Sequence, residues 1–222
     1  EMAAIANACG LGVPSDGLLF PPCGIHDLAH ILRPRAVGGV LERSGITEVI
    51  TSMEVDGRET ANHLRWGVYV VLEAPNDYAA ACFKQYGMAP DSTGQFAGMY
   101  RPFHLIGLEL NISILLAALE GKATGSPRAF IGDAVACAKK DLAAGDTLDG
   151  EGGYTVWGKL IPAERSLAEG ALPIGLAQDI TLTSPVKAGT IITAADVTLS
   201  QDDELIAYRR AMEEAERPRL AA

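Results

Sequence analysis

The segment GVYVVLEAPNDYAAACFKQYG, residues 67–87, contains the clearest change of periodicity in the chain. Its β-branched and aromatic residues predict a strand over residues 67–72. Pro75 interrupts that pattern, and Asn76 with Asp77 predicts the start of a helix over residues 78–86, which Gly87 ends. A strand followed by a helix indicates a fold that mixes both element types.

Further elements are predicted on both sides of this segment. Residues 49–55 have a strand-like composition and are followed by an Asp-Gly turn signal. Another strand is predicted over residues 95–100, and a long helix over residues 104–120, where leucine and isoleucine recur at spacings of three and four. Two antiparallel strands, a helix, a third strand and a helix predict an α+β layer.

The first residues have the composition of a helix that lacks an N-terminal capping residue. Residues 1–9 are strong helix formers that end at Gly10, but no capping residue precedes them. We therefore expect that further residues lie upstream of Glu1 in the natural protein. A turn-rich stretch follows, and the short helical pattern over residues 25–32 is stopped by Pro34.

Beyond Pro127 the sequence changes to short β-type runs separated by glycines. Strands are predicted over residues 155–161 and 190–193. Residues 140–148 and 184–192 resemble each other as a weak internal repeat. Each copy places a glycine, at position 145 or 189, in a turn between two short strands.

These patterns predict the organisation of the chain. We expect an α+β domain over residues 1–126 and a β-rich domain over residues 127–200. Residues 201–222 are predicted to form a C-terminal helix and tail, with the helix over residues 202–217 ending at Pro218. The fold class predicted for the whole chain is α+β, with an antiparallel sheet.

The charge balance restricts the partners of the chain. Its 18 basic and 28 acidic residues give a net charge of −10, whereas a nucleic-acid binder needs the opposite sign. No apolar run approaches the roughly 20 residues that span a bilayer, and the first residues lack the basic region of a signal peptide. We expect a cytoplasmic protein with no nucleic-acid or membrane partner, in which four scattered cysteines are reduced thiols.

Two phrases in the second half carry a resemblance to a known module. AKKDLAAGDTL at residues 138–148 and SPVKAGTIITAADV at residues 184–197 resemble the signatures of the SAF domain. This module is related to the β-clip and is found in sialic acid synthases, antifreeze proteins and flagellar P-ring chaperones. The second phrase is similar to the segment that closes a SAF domain, so the resemblance implies a SAF domain over residues 127–200.

A second resemblance covers the whole chain. EMAAIANA at residues 1–8, MYRPFHLIGLE at residues 99–109 and the SAF-like segment occur in the same order in bacterial homoserine-dehydrogenase-like proteins with a SAF domain. That family includes the deoxyxylulose-phosphate-reductoisomerase-like enzymes. The resemblance implies an NAD(P)-dependent oxidoreductase in which a Rossmann domain, and an Asp-Gly-Thr-Lys-like stretch with a candidate catalytic lysine, precede the part seen here.

The sequence departs from that family in the cofactor fingerprint. No G-x-G-x-x-G follows a strand, and the glycines at residues 150–153 lie in the β-rich half without a following helix. The resemblance implies that NADP or NAD is the cofactor of the complete enzyme. Because the fingerprint is missing, we expect no cofactor to bind this chain alone, and we expect no metal.

The candidate site residues lie in the phrase around residue 101. Arg101 and Tyr100 are predicted to bind substrate, since a guanidinium can hold a phosphate or carboxylate in a bidentate manner. His104 and Glu109 are the candidate catalytic residues, with Glu109 orienting the other two. The alternative is a structural junction in which Arg101 pairs with a surface acid.

Other candidates have structural explanations. His26 and His30 have the spacing of metal ligands, but no third ligand accompanies them. His63 is interpreted as solvated, and Trp66 as packing beside the strand that follows it.

Two functions remain open at this point. The first is the substrate-binding and oligomerisation portion of an oxidoreductase or reductoisomerase acting on a small phosphorylated or carboxylated compound, as a homo-oligomer. The alternative is a non-enzymatic SAF-type module that binds a carbohydrate or protein. A sugar-acid dehydratase would need a metal cluster, which the scattered histidines do not supply.

Overall fold

The computed structural model describes residues 1–200 and 203–220, and the fold within them is α+β, as predicted. No helix in these two ranges is long and apolar enough to cross a bilayer. The α-helices are α1 (Met2–Cys9), α2 (Leu28–Ile31), α3 (Asp77–Gln85), α4 (Leu110–Glu120), α5 (Ala163–Glu169) and α6 (Glu204–Leu220). The strands are β1 (Val68–Glu73), β2 (Ala89–Pro90), β3 (Phe96–Arg101), β4 (Gly132–Ala138), β5 (Thr147–Asp149), β6 (Val156–Pro162) and β7 (Gln178–Thr181).

The chain divides into two compact units. The middle unit is Leu19–Ser126, and the terminal unit combines Glu1–Leu18 with the chain from Pro127 onward. The first 18 residues were expected in the N-terminal domain and instead group with the second half. Asn7 explains this, because its side-chain oxygen accepts the N–H groups of Ile131 and Gly132 at 2.7 and 2.9 Å. A contact across more than 120 residues leaves no local pattern in the sequence.

The middle unit is built on a small antiparallel sheet of order β1-β3-β2. Val70 lies opposite Met99 in the register of β1 and β3. Tyr69 and Val71 extend from the inner face of β1 and pack against a buried apolar cluster, whose members are Cys23, Leu28, Leu32 and Leu41. Val68 and Val70, on the outer face, are 46% and 47% exposed.

Helix α3 begins and ends close to the predicted residues. The Asn76 side chain caps it by accepting the N–H of Ala79 at 3.0 Å. The helix packs beside the short strand β2. Local capping chemistry was therefore sufficient to locate this element.

Two expectations for the middle unit were wrong. The strand expected over residues 49–55 is irregular backbone, because its backbone hydrogen bonds go to turn segments. The Thr51 N–H donates to the Pro21 carbonyl at 3.1 Å, and Thr51 forms an isolated β-bridge with Pro22. The helix expected from residue 104 begins six residues later, at Leu110. Gly107 interrupts it with φ +84°, a conformation that an α-helix excludes.

The terminal unit contains the two paired sheets β4–β6 and β5–β7 around a buried core. The strand predicted over residues 155–161 is β6, shifted by one residue. The strand predicted over residues 190–193 is present only as single bridges at Ile191 and Thr193.

The internal repeat of the terminal unit is structural. Leu142 and Val186 occupy equivalent positions in the two copies and exchange both backbone hydrogen bonds, at 2.8 and 3.0 Å. The predicted glycine turns have φ +91° at Gly145 and φ +79° at Gly189. Each glycine donates to a carbonyl at the equivalent position of the other copy, Gly145 to Leu182 and Gly189 to Ala138, both at 2.8 Å. The copies are thus paired around a local twofold relation.

Helix α6 is held to the terminal unit by a buried ion pair. Arg209 donates both terminal nitrogens to Asp133, which is 5% exposed and also accepts the Ser166 hydroxyl at 2.6 Å. The guanidinium lies 5.0 Å from the Phe130 ring centroid. Pro218 lies inside α6 and does not end it, contrary to the prediction. The predicted first residue of this helix, Asp202, lies outside the described residues, as do residues 201, 221 and 222.

Replacing Arg209 tests how much α6 depends on this pair. Arg209→Ala should lower the free energy of unfolding by about 3 kcal/mol, because Asp133 would stay buried without its counter-charge. Urea unfolding followed by circular dichroism measures this. Arg210→Ala, at the next and exposed position, should change stability by no more than about 0.5 kcal/mol. Equal stability of the two variants would contradict the assignment.

Candidate functional site

Arg101, the last residue of β3, delivers a cation to one end of the sheet. It lies opposite Val68 in the register with β1, so its side chain shares the outer face with that residue. Its guanidinium carbon stacks 4.6 Å from the Phe103 ring centroid. The stacking fixes the planar group while its side chain stays 54% exposed.

Glu109 is the centre of the site. One carboxylate oxygen accepts a hydrogen bond from the Arg101 guanidinium. The other faces His104 Nδ1 at 3.3 Å and accepts the Leu105 N–H at 3.1 Å. The turn that precedes α4 therefore folds over this carboxylate. It brings together three of the four candidate residues, Arg101, His104 and Glu109.

Tyr100 is placed apart from this cluster. It lies opposite Tyr69, so its side chain extends from the other face of β3 than that of Arg101. The substrate-binding role expected for Tyr100 therefore requires a ligand that reaches around the sheet end.

The electrostatics of the cluster favour an ionised Glu109. Partial desolvation alone would raise the pKa of this carboxyl, but the Leu105 N–H, His104 and Arg101 together lower it below its ordinary value. His104 is half exposed and Glu109 one quarter exposed. The site is therefore a solvent-accessible cation and imidazole organised around one carboxylate, which is suited to binding an anionic or carbonyl-bearing molecule.

The described residues do not provide a cradle for a dinucleotide. Such a cradle needs a glycine-rich turn between a strand and a helix N-terminus. The glycines at residues 150–153 instead connect β5 to β6, and Lys139 donates to the Gly153 carbonyl there at 2.6 Å. No hydride step is assigned to these residues.

His26 and His30, the pair with metal-ligand spacing, flank the start of α2. Within residues 1–200 and 203–220, no group of three or more histidine, cysteine or acidic side chains is placed to hold a metal ion.

The sequence analysis missed a cleft of about 380 Å³ in the middle unit. Its walls are Phe20, residues 49–52 and residues 64–67, and we call it the Trp66 cleft. Trp66 was expected to pack beside a strand, and that was wrong. It precedes β1 with φ +68° and is 74% exposed. A positive φ at tryptophan has no sequence signal, because it is imposed by the surrounding fold.

Comparison with known proteins finds a similarity in the first half of the chain. Residues 1–110 match the family described as oxidoreductase DRL, catalytic domain. The matched range ends at the first residue of α4 and includes Arg101, His104 and Glu109. No curated protein matched the chain. The match supports an oxidoreductase catalytic domain that contains the candidate site.

The Glu109 cluster should depend on pH in a defined direction. The carboxyl has a lower pKa in the folded state, so its contribution to stability is complete above the unfolded pKa and is lost as the pH falls through the folded pKa. In Arg101→Gln the Glu109 pKa should rise toward its ordinary value, measured by carbon-detected NMR titration. Lys122→Gln, which removes a cation paired with Glu120, should leave the Glu109 titration unchanged. An unaltered pKa in Arg101→Gln would contradict the arrangement.

Proposed function

We propose that this chain, whose first half matches an oxidoreductase catalytic domain, is the substrate-binding and oligomerisation portion of an NAD(P)-dependent oxidoreductase or reductoisomerase. The proposed class is homoserine-dehydrogenase-like, and the substrate is a small phosphorylated or carboxylated compound. The observation that carries the proposal is the convergence of Arg101, His104 and Glu109 within the matched range.

The three residues have separate roles in this proposal. Arg101 binds the substrate anion with the guanidinium edge that Glu109 does not occupy. When the His104 ring carries a proton on each nitrogen, Nδ1–H donates to Glu109 and Nε2–H is free to donate to a substrate carbonyl. A proton donated to the carbonyl oxygen offsets the charge that develops there during reduction. Glu109 is thus the positioning residue for both neighbours.

The proposal places cofactor binding outside these 222 residues. The nicotinamide of NADP or NAD supplies the hydride when it is bound. The residues described here bind the substrate, orient it and hold a proton at His104. A cytoplasmic location accompanies this assignment, and Cys9, Cys23, Cys82 and Cys137 are all free thiols, as a reducing compartment would keep them.

The terminal unit is assigned as a SAF module in this proposal. The paired glycine turns at Gly145 and Gly189 support that assignment, because the resemblance rests on the same two phrases. A non-enzymatic SAF-type binding module is the alternative function. The match to an oxidoreductase catalytic domain favours the enzyme.

Self-association is proposed through α4. This helix is apolar on all sides, a composition typical of helices that are covered by protein. Five of its large side chains are 52–79% exposed: Leu110, Ile112, Ile114, Leu115 and Leu119. A second copy of the chain supplies the simplest cover, since a twofold interface uses the same patch on both partners.

Turnover should depend on the planar fork of Arg101. In the enzyme that combines this chain with its nucleotide-binding domain, Arg101→Lys should reduce kcat/KM by about tenfold to a thousandfold, because an ammonium cannot replace a bidentate guanidinium. NADPH oxidation with small phosphorylated and carboxylated carbonyl compounds measures this. Arg43→Lys, exposed in the same unit, should keep full activity. Full activity of Arg101→Lys with a lowered melting temperature would assign Arg101 to structure alone.

The α4 interface is tested by placing a charge on it. Leu115→Asp should weaken self-association at least about tenfold, because a carboxylate would be desolvated in the interface. Sedimentation equilibrium of the chain measures this. Leu205→Asp, at a position of α6 that is 69% exposed, is the matched control and should associate normally. A native chain that is monomeric at high concentration would contradict the proposal.

A further inference from the structure

The charged side chain in the wall of the Trp66 cleft is a cation, which is suited to binding an anion. Of the nine residues that line it, Arg65 is the only ionisable one. The neighbouring acid Glu48 is 8% exposed, and its carboxylate accepts the N–H groups of Leu19, Phe20 and Val49. Glu48 does not line the cleft and its carboxylate is engaged by backbone donors, so Arg65 is the one charged side chain in the cleft wall.

Aromatic side chains form the apolar part of the same cleft. Phe20 is 48% and Trp66 74% exposed, which is unusual for rings of this size. The Arg65 guanidinium carbon lies 5.6 Å from the Trp66 ring centroid, so charge and ring are adjacent. A molecule that combines an anionic group with a flat or apolar body matches both features.

The backbone of the cleft walls is held in costly conformations. Three of the four non-glycine residues with positive φ in the described chain are here or next to it: Phe20 at +51°, Asn62 at +52° and Trp66 at +68°. Each costs on the order of 1–3 kcal/mol and is retained where the surrounding structure enforces it, commonly at ligand sites. The Glu48 carboxylate supplies part of that enforcement by holding the Phe20 N–H at 3.4 Å.

Polar groups in the adjoining segment add to this pattern. Among the described residues, Thr60 Oγ1 and His63 Nδ1 are buried without a hydrogen-bond partner. Thr60 is 7% exposed, and its N–H donates to the carbonyl of Ser52, a wall residue. The Thr51 hydroxyl accepts the Met53 N–H at 3.2 Å, which leaves its own proton to donate. Buried polar atoms without a protein partner cost stability unless a water or a ligand satisfies them.

From these observations we infer that the Trp66 cleft binds a small organic anion, a carboxylate or phosphate attached to a planar or apolar body. Arg65 takes the anionic group, and Trp66 with Phe20 takes the body. The hydroxyls of Thr51 and Ser52 donate to the remaining oxygens. The Arg101 cluster is a separate site and takes no part in this binding.

The cleft and the Arg101 cluster lie at the same end of the sheet. Gly67, a wall residue, precedes β1, and a Cβ there would lie 2.5 Å from the Arg101 carbonyl oxygen. Val68 lies opposite Arg101 in the β1–β3 register. Identifying this ligand with the enzyme's substrate rests on the proposed function, whereas binding in the cleft does not.

Tryptophan fluorescence of the chain measures the binding directly. The chain has two tryptophans, so Trp157→Phe leaves Trp66 as the reporter. Phenyl phosphate or benzoate should change the Trp66 emission saturably, with half-saturation at or below about 1 mM. The stronger of the two probes identifies the anion class. Inorganic phosphate has only the anionic group and benzyl alcohol has only the aromatic body, so each should bind at least about tenfold more weakly.

Variants of Arg65 decide the assignment. In the Trp157→Phe background, Arg65→Gln should raise the half-saturation concentration at least about tenfold, and Arg65→Lys should recover part of the loss. Arg43→Gln should bind as the background does. Circular dichroism establishes that each variant is folded. Equal binding by Arg65→Gln, or no saturable change with either aromatic anion, would overturn the inference.

The two proposals fail separately. If Arg65→Gln loses probe binding while Arg101→Lys keeps full turnover, the cleft stands and the proposed roles of the Arg101 cluster fall. If Arg65→Gln binds the probes normally while Arg101→Lys loses turnover, the cleft assignment falls and the proposed function stands.

Discussion

The ion pair between Arg33 and Asp91 joins the irregular first part of the middle unit to its sheet. Asp91 lies between β2 and β3, is 5% exposed, and also accepts the Thr93 hydroxyl and the Phe96 N–H. Desolvation would raise the pKa of Asp91, but the Thr93 and Phe96 donors, with the Arg33 charge, lower it overall. The carboxylate therefore stays ionised in a buried position and fixes where β3 begins. Because Arg101 ends that strand, the place of the candidate site follows from this contact.

Local chemistry made part of the fold predictable. Strand β1 was marked by its β-branched residues, and α3 by the cap at Asn76, so both were located to within one or two residues. The strand expected over residues 49–55 failed because its backbone hydrogen bonds go to several irregular segments, at Pro21, Cys23, Arg58 and Thr60. The late start of α4 depends on Glu109 turning back to Leu105, which a spacing of apolar residues does not reveal. Elements fixed by neighbours along the chain were found, and those fixed by distant contacts were not.

The candidate site shows the same division. Arg101, His104 and Glu109 lie within nine residues, so residue types at the end of a strand were enough to group them. Tyr100 was grouped with them by proximity in sequence, although the alternation of a strand places it on the other face. The Trp66 cleft collects residues from three separate segments, and two of them contain a residue, Phe20 or Trp66, with a positive φ that only the completed fold imposes. Such a site has no signature along the chain.

The twofold relation inside the terminal unit has a consequence for synthesis of the protein. Leu142 and Val186 lie 44 residues apart and form backbone hydrogen bonds with each other. The two glycine turns likewise form hydrogen bonds with the opposite copy. At a translation rate of about 5–20 residues per second, the second copy is made roughly 2–9 s after the first. During that interval the backbone edge of the first copy has no partner from the second copy. The pairing between the copies can therefore form only after the second copy has been made.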